Sequence, residues 1–159
     1  MIFRKIKEKD ILQIQTLALK SWLFTYNKIY SEDKIKQEVK KYYSDDKLKL
    51  EIKETEKDNE LFLVAEDNKE ILGYAHISED KDGWELQRIY VNPDKLRLGI
   101  GKQLINHIEV FLRSKNIRKY IAHPHVDNPI AVSFYLKRGF KRYPEGDRDA
   151  DSPCFLKEI

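Results

Sequence analysis

Apolar and polar positions follow two different periods along this chain, and the two periods alternate. Residues 11–26 place apolar side chains at helical spacing behind Asp10, a residue type that often precedes a helix. Residues 61–67 instead form a short apolar run bounded by turn residues, as strands do. On this basis strands are predicted at 2–6, 61–67, 70–80, 83–92, 118–126, 140–147 and 153–159, and helices at 11–26, 31–43, 45–59, 101–115 and 128–139.

The order of these elements predicts a mixed α/β fold. Helices and strands are interleaved along the whole chain, and no repeat, low-complexity segment or linker divides them. A chain of 159 residues is most simply one domain, so residues 1–159 are expected to form a single unit. We therefore expect one domain in which helices flank a central sheet.

The charge pattern argues against several classes of protein. The 30 Lys and Arg residues are interleaved with 27 Asp and Glu residues, and the net charge of +3 gives no reason to expect nucleic acid. No apolar run approaches the roughly 20 residues that a membrane-spanning helix needs. The first ten residues alternate charged and apolar side chains, unlike a signal peptide. The protein is therefore expected in the cytoplasm, without a membrane partner.

Cysteine and histidine are too sparse to suggest a metal site. The single cysteine, Cys154, excludes a disulfide within the chain and a cysteine-based cluster, and we expect it to be buried and structural. His123 and His125 lie two residues apart in a predicted strand, without a nearby third ligand. We expect no bound metal.

Two glycines at the start of a predicted helix raise the question of a phosphate site. Gly99 and Gly101 follow the strand that ends near residue 92. A Walker loop is excluded because Lys102 is followed by Gln103 rather than Ser or Thr. A dinucleotide fingerprint is excluded because Leu104 stands where the third glycine would lie.

The feature that both excluded motifs share is still present. Glycines at a helix start leave the backbone amides of residues 98–102 without helical partners, and the helix dipole adds positive potential there. Arg97 and Lys102 contribute full positive charges. The segment therefore suits a pyrophosphate, although tight packing of the helix against the strand would also explain the glycines.

Two motifs surround these glycines in the expected order. A strand and turn lead into the glycine-rich helix start, and about thirty residues later an asparagine precedes a helix that ends in Gly-Phe. The residues concerned are Ile89, Tyr90, Val91, Arg97, Leu98, Gly99, Ile100 and Gly101, then Asn128, Ala131, Tyr135, Gly139 and Phe140. With these motifs, residues 61–140 resemble the GCN5-related N-acetyltransferases, the GNAT family. Leu96 departs from the pattern, since the family usually has Gln or Arg there, but Arg97 lies next to it.

The resemblance implies a fold and a cosubstrate. The sheet would be mixed, mostly antiparallel, of six to seven strands, and splayed at its two central strands; Pro124 favours this because it cannot donate to a ladder. Acetyl-CoA would enter there, with its pantetheine arm paired to the strand at 89–91. The implied cofactor-binding residues are Ile89, Tyr90, Val91, Arg97, Leu98, Gly99, Ile100, Gly101, Lys102, Asn128 and Tyr135. Asn128 precedes Pro129, so helix capping alone would also explain it.

The resemblance also implies direct transfer of acetyl to a primary amine. Tyr135 stands where the family has its general acid, and the alternative is an ordinary aromatic residue on an apolar stripe. Glu85 stands at the position of a catalytic base in one branch of the family, and the alternative is a solvent-facing strand residue. His123 and His125, on one face of the predicted strand, would relay a proton or line the acceptor cleft.

The acceptor is suggested by an aromatic segment in the first helix. Trp22, Tyr26 and Tyr30, followed by Glu32 and Asp33, are residue types that bind a protonated amine, whereas Phe24 is expected to pack in the core. The segment resembles the PaiA-type polyamine-acetylating members of the family. The expected substrate-binding residues are Trp22, Tyr26, Tyr30 and His123. A polyamine or other small amine is favoured; a protein N-terminus or lysine, and a non-enzymatic acetyl-CoA-binding regulator, stay open, as does a homodimer.

Overall fold

Seven strands form one sheet in this computed structural model, which describes residues 1–159. The strands are β1 (Ile2–Lys5), β2 (Leu61–Asp67), β3 (Glu70–Asp80), β4 (Gly83–Val91), β5 (Lys119–Ala122), β6 (Lys141–Arg142) and β7 (Phe155–Glu158). Their order in the sheet is β1-β2-β3-β4-β5-β7-β6, and only β4 and β5 run parallel. The mixed, mostly antiparallel sheet of six to seven strands is therefore confirmed.

Five helices cover the two faces of the sheet. They are α1 (Ile11–Tyr26), α2 (Glu32–Tyr42), α3 (Asp45–Glu56), α4 (Ile100–Ser114) and α5 (Pro129–Lys137). Because side chains alternate along a strand, Phe62 and Val64 of β2 pack with α1 to α3, whereas Leu61 and Leu63 pack with α4. The molecule thus has two buried clusters, one on each side of the sheet.

Local sequence signals explain where the elements begin. The Ser31 and Ser44 hydroxyls accept hydrogen bonds from the amides of Lys34 and Lys47, and so cap α2 and α3. The β2–β3 hairpin turns at Asn68 and Lys69, whose φ angles of 48° and 67° suit a two-residue turn. These starts were readable from residue types alone.

The sheet opens between its two parallel strands. β4 and β5 pair only at Glu85 and Ile121, so β4 has no neighbour on that side beyond this point. β5 ends at Ala122, which corrects the predicted strand at 118–126. His123 and His125 consequently lie in a loop and not on a strand face. The strand ends there because β4 has diverged on one side, and β7 on the other side begins at Phe155, opposite Ala122.

A β-bulge lies at the same point of β4. His76 pairs with Arg88 and Ile77 with Leu86, so Gln87 is an extra residue in β4. A bulge bends its strand, and this one adds to the divergence of β4 from β5. No helix has both the length and the apolar character that crossing a membrane requires.

Candidate active site

Two cavities meet where β4 and β5 diverge. The larger, which we call the acceptor cavity, has a volume of about 830 Å³ and lies against α1, α2 and α3. The smaller, the cofactor cleft, has a volume of about 200 Å³ and lies between the open part of β4 and α5. The residues that line both are Tyr26, Gln87, Arg88, Tyr90, His123 and His125. A molecule in one cavity therefore contacts a molecule in the other at this junction.

The cofactor cleft exposes an unpaired strand edge. Ile89, Tyr90 and Val91 line it, and their backbone has β3 on one side and no strand on the other. An extended chain that carries amides, such as a pantetheine arm, can pair with such an edge. Near them, Leu96 and the half-exposed Phe24 add apolar surface. Phe24 was expected in the core; this is wrong, because its place on α1 faces the cleft.

The start of α4 presents free backbone donors. The first backbone hydrogen bond of the helix runs from the Gln103 amide to the Gly99 carbonyl, so the amides of residues 98–102 have no acceptor in the protein. Arg97 and Gly99 have φ angles of 66° and 80°, which turn the chain into the helix. Free amides at the positive end of a helix fit a pyrophosphate group.

Glycine is needed at positions 99 and 101 for different physical reasons. Gly99 adopts a left-handed conformation that favours glycine, and a Cβ atom there would contact nothing. A Cβ atom on Gly101 would lie 3.1 Å from the Phe134 ring of α5. Gly101 therefore lets α4 approach α5 closely, so the packing explanation applies to this glycine alone.

Asn128 caps α5 and also borders the cofactor cleft. Its Oδ1 atom accepts a hydrogen bond from the Ala131 amide at 3.1 Å, as expected for a helix N-cap. Its Nδ2 group makes no hydrogen bond within the protein, while the residue lines the cleft. Capping thus leaves the amide donors of Asn128 available to a bound cofactor.

Tyr135 lines the cofactor cleft with a buried ring. Burial raises the pKa of its phenol well above the ordinary value, with smaller contributions from Tyr26 and Glu85. The hydroxyl makes no hydrogen bond within the protein. A phenol that keeps its proton and faces the cleft is suited to donating that proton.

Glu85 is buried beside two cationic groups. Only 3% of its surface is exposed, so the solvent-facing alternative is wrong. Arg148 donates from Nη2 to Oε2 at 2.5 Å and from Nη1 to Oε1 at 3.2 Å. The His123 Nδ1 atom lies 2.9 Å from Oε1. The bidentate guanidinium fixes the position and orientation of the carboxyl group.

The two histidines have no free basic nitrogen. The His123 Nε2 atom is 2.9 Å from the Gly146 carbonyl, which can only accept, so Nε2 donates to it. The Nδ1 atom is engaged by the Glu85 carboxyl group at 2.9 Å. In His125, Nδ1 accepts from the Asp127 amide, so Nε2 donates to the Tyr30 hydroxyl at 3.0 Å. This geometry gives no support to a proton relay, whereas both residues do line the acceptor cavity.

The acceptor cavity brings the predicted aromatic residues together. Trp22, Tyr26 and Tyr30 all line it, and the ring centroids of Trp22 and Tyr26 are 5.2 Å apart. The acidic residues are not those expected. Glu32 is paired with Lys36, and neither Glu32 nor Asp33 lines the cavity, although Lys34 in the same turn does. The carboxylates that do line it are Glu38, Glu51, Glu60 and Asp80.

Three of these four carboxylates have partners of their own. Glu51 receives two hydrogen bonds from Arg88, at 2.8 and 3.0 Å. Glu60 lies 2.9 Å from His76, and Asp80 lies 3.0 Å from Arg148. Glu38 makes no hydrogen bond or ion pair within the protein. It is the one carboxylate in the cavity whose charge is not balanced by a direct contact.

Arg148, Gly146 and Glu38 were missed in the sequence. A buried glutamate needs a counter-ion, and this requirement could have prompted a search for one. Arg148, however, lies 63 residues from Glu85 in a polar segment, and nothing local singles it out. The chain offers no group of three or more His, Cys, Asp or Glu side chains placed to bind a metal.

A sheet that opens beside a helix start with free amides, and beside a buried tyrosine, defines an acyltransferase class that uses CoA thioesters. Residues 19–140 match the sequence model of the acetyltransferase (GNAT) family, and the chain therefore belongs to this family. It is accordingly an acetyl-CoA-dependent N-acyltransferase.

The proteins similar to this chain align with nearly its whole length. A spermidine N(1)-acetyltransferase of Thermoplasma acidophilum is 31% identical over 156 residues, which cover 98% of this chain and 94% of the relative. The crystal structure of the PaiA N-acetyltransferase from Thermoplasma acidophilum, in complex with coenzyme A, superposes with a TM-score of 0.93 at 30% identity, covering 99% of this chain and 98% of that one. A GNAT acetyltransferase from Staphylococcus aureus Mu50 has a TM-score of 0.78 at 17% identity, with coverage of 99% and 98%, and shows the fold alone.

Proposed function

We propose that this enzyme acetylates a primary amine of a polyamine. The observation that carries the proposal is the acceptor cavity, in which Tyr rings and the uncompensated carboxylate of Glu38 lie on a path that opens onto the cofactor cleft. The similarity to a spermidine acetyltransferase supports the same substrate class.

The charges in the cavity favour an amine with a second cationic group. The amine that reacts must be neutral, because only the free lone pair is nucleophilic. Glu51, Glu60 and Asp80 already have direct partners in Arg88, His76 and Arg148, so they are less available to a further cation. Glu38 is left to bind an ammonium group remote from the reacting nitrogen.

Two lysines restrict where that ammonium can lie. The Lys34 ammonium lies 4.9 Å from the centre of the Tyr30 ring, and the Lys47 ammonium lies 5.2 Å from the centre of the Tyr42 ring. These ring faces are therefore already occupied by cations of the protein. The second ammonium is directed to Glu38 and to the rings nearer the junction.

The residues at the junction have complementary tasks in the transfer. Acetyl-CoA supplies an activated acetyl thioester. The amine nitrogen forms a bond to the acetyl carbon, and the bond from that carbon to sulfur breaks. Once the nitrogen has bonded to the acetyl carbon, its N–H proton becomes strongly acidic, and Glu85 accepts this proton. Tyr135 gives a proton to the departing sulfur. One proton leaves nitrogen and one reaches sulfur, so the products are an acetamide and the free thiol.

Steady-state kinetics with Glu38→Gln test the proposal. We expect KM for spermidine to rise about three- to tenfold, the size of one partly exposed ion pair, with kcat unchanged. KM for butylamine, which lacks a second ammonium, should not change. Glu32→Gln, on the same helix but outside the cavity, is the matched control and should leave both KM values unchanged.

Three results would contradict the proposal. A wild-type enzyme that acetylates butylamine as efficiently as spermidine would show that a second ammonium is not recognised. A wild-type enzyme that acetylates peptides but no polyamine would point to the protein-acetylating alternative. Binding of acetyl-CoA without transfer to any amine would favour the regulatory alternative.

A further inference from the structure

Arg148 connects the two cavities through ion pairs. It lies in the β6–β7 loop, residues 143–154, which packs against the β3–β4 hairpin. Its guanidinium binds Glu85, which lines the cofactor cleft, and also Asp80, which lines the acceptor cavity, at 3.0 Å. The side chain is 39% exposed, whereas the Glu85 side chain is 4% exposed. One arginine from the surface thus reaches a buried carboxylate.

The β6–β7 loop is braced independently of Arg148. Arg142 donates two hydrogen bonds to the Asp147 carboxylate, each of 2.5 Å, and the Cys154 amide donates to the same carboxylate at 2.8 Å. A Cβ atom on Gly146 would lie 2.7 Å from the Cys154 sulfur, so glycine permits the loop to pack this closely. The loop is therefore a fixed support from which Arg148 and the Gly146 carbonyl project.

We propose that Arg148 is a positioning residue of the transfer reaction. Its guanidinium holds both oxygens of the Glu85 carboxylate, and Glu85 together with the Gly146 carbonyl orients the His123 ring at the junction of the two cavities. The inference deepens the proposed function, since it rests on the role given to Glu85 there.

The balance of charges around Glu85 gives the physical reason. The groups that face it are Arg148, His123, Tyr135 and Cys154, and of these only Arg148 carries a permanent positive charge. Without the guanidinium, Oε2 of the buried Glu85 has no hydrogen-bond donor, and the carboxylate keeps only its contact with His123. Glu85 would then no longer be held in the place where it accepts the amine proton.

Kinetics of Arg148→Gln and Arg148→Lys test this inference. For Arg148→Gln we expect kcat to fall about 10- to 100-fold relative to the wild type, the cost of a misplaced reacting group. The Kd of acetyl-CoA should stay within about twofold of the wild-type value. Arg148→Lys keeps one positive charge and should recover part of kcat.

Arg142→Gln is the matched control. It loosens the same loop but leaves the groups that contact Glu85 in place, so kcat should fall much less than in Arg148→Gln. If Arg142→Gln lowers kcat as far as Arg148→Gln, Arg148 acts only by ordering the loop and the inference is overturned. An Arg148→Gln enzyme with unchanged kcat overturns it equally.

A measurement without substrate separates this inference from the proposed function. In protein labelled with ¹⁵N at histidine, Arg148→Gln should shift the ring signals of His123 relative to the wild type, because Glu85 is then no longer held against the ring. That result supports the positioning role even if spermidine is not the acceptor. A His123 spectrum that is the same in both proteins overturns it.

Discussion

Tyr135 combines two properties that a proton donor to sulfur needs. Its ring is buried, so its phenol stays protonated, and its hydroxyl faces the cofactor cleft without a competing partner. Direct transfer releases a thiolate, which a nearby proton stabilises as the bond to carbon breaks. The role of Tyr135 as general acid stays a proposal, and it can be tested separately from binding.

We predict that Tyr135→Phe lowers kcat about 100-fold or more, within the usual range for general acids, with little change in the Kd of acetyl-CoA. The ring remains to pack against Phe140, so the variant should fold normally. Single-turnover rates and calorimetric titration measure the two quantities. Equal losses in affinity and rate would indicate a binding role instead.

The alkaline side of the wild-type profile provides a second check on Tyr135. A general acid must carry its proton, and the pKa of this phenol is raised by burial. The kcat of the wild type should therefore not decline as the pH passes about 10, the value for an ordinary tyrosine. A decline centred near that pH, absent from Tyr135→Phe, would contradict the assignment.

At the level of single residues, the sequence identified unusual positions better than it identified their partners. A glutamate in the middle of a strand drew attention to Glu85, because strands disfavour this residue. Its partner Arg148 comes from a distant loop, and the orientation of the His123 ring depends on Gly146 and Glu85 together. Such contacts are set by how distant segments pack, which one sequence does not record.

The start of α4 shows how an element can serve a site and the core together. The free amides of residues 98–102 face outward, while Gly101 brings α4 against Phe134 of α5. Gly99 and Gly101 lie two residues apart but are constrained by different forces, one by backbone conformation and one by packing. Substitution by alanine should separate these effects.

Gly99→Ala should destabilise the fold by about 1 kcal/mol, the cost of a left-handed conformation for a residue with a side chain. Gly101→Ala should cost less, because the better helix propensity of alanine, up to about 1 kcal/mol, offsets the contact with Phe134. It should weaken acetyl-CoA binding instead, since Phe134 must move where it lines the cofactor cleft. Urea unfolding and calorimetry would measure both. A greater loss of stability in Gly101→Ala, with unchanged affinity, would contradict this account.

Helices were easier to predict than the ends of strands. The caps at Ser31 and Ser44 and the turn at Asn68 are local signals, and the structure has all three. β5 was predicted at 118–126 but ends at Ala122, because its continuation depends on whether β4 stays close enough to pair. Pro124 indicated an interruption in this region without giving its extent.

At the scale of the molecule, a buried ion pair ties the first strand to the first helix. The Asp10 carboxylate accepts two hydrogen bonds from Arg4, at 2.7 and 2.9 Å, and one from the Lys7 amide at 2.8 Å. Burial alone would raise the pKa of Asp10, but these hydrogen bonds outweigh it and hold the pKa below its usual value. The pair therefore stabilises the fold only while Asp10 is ionised.

We predict that Asp10→Asn lowers the free energy of unfolding by about 2 kcal/mol at pH 7. The loss is smaller than for a fully buried ion pair, because Arg4 is partly exposed and still pairs with Glu66 in the variant. The folded-state pKa lies below the unfolded one, so the full contribution is present above about pH 4 and is lost as the pH falls through the folded value. Wild type and variant should thus converge in stability at low pH. Unfolding by urea between pH 7 and pH 2 measures this.

Asp58→Asn is the control for Asp10→Asn. Asp58 pairs with Lys5 at 2.6 Å on the exposed surface, and asparagine tolerates its left-handed backbone. At every pH, Asp58→Asn should lower the free energy of unfolding much less than Asp10→Asn does. A loss for Asp10→Asn that persists unchanged at pH 2 would show that packing, and not the charge, is responsible.

The sequence alone determined the α/β class, the start of most elements, the glycine-rich helix start and the resemblance to acetyltransferases, because these depend on residue types at short, fixed spacings. The predicted roles of Glu85, Tyr135 and the cofactor-binding residues stay predictions, as does a homodimer. Only the tertiary structure decided which carboxylates line the acceptor cavity, which glycine is needed for packing, and that Arg148 neutralises Glu85. Each of these depends on contacts between segments far apart in the chain, where burial and charge are balanced across the whole fold.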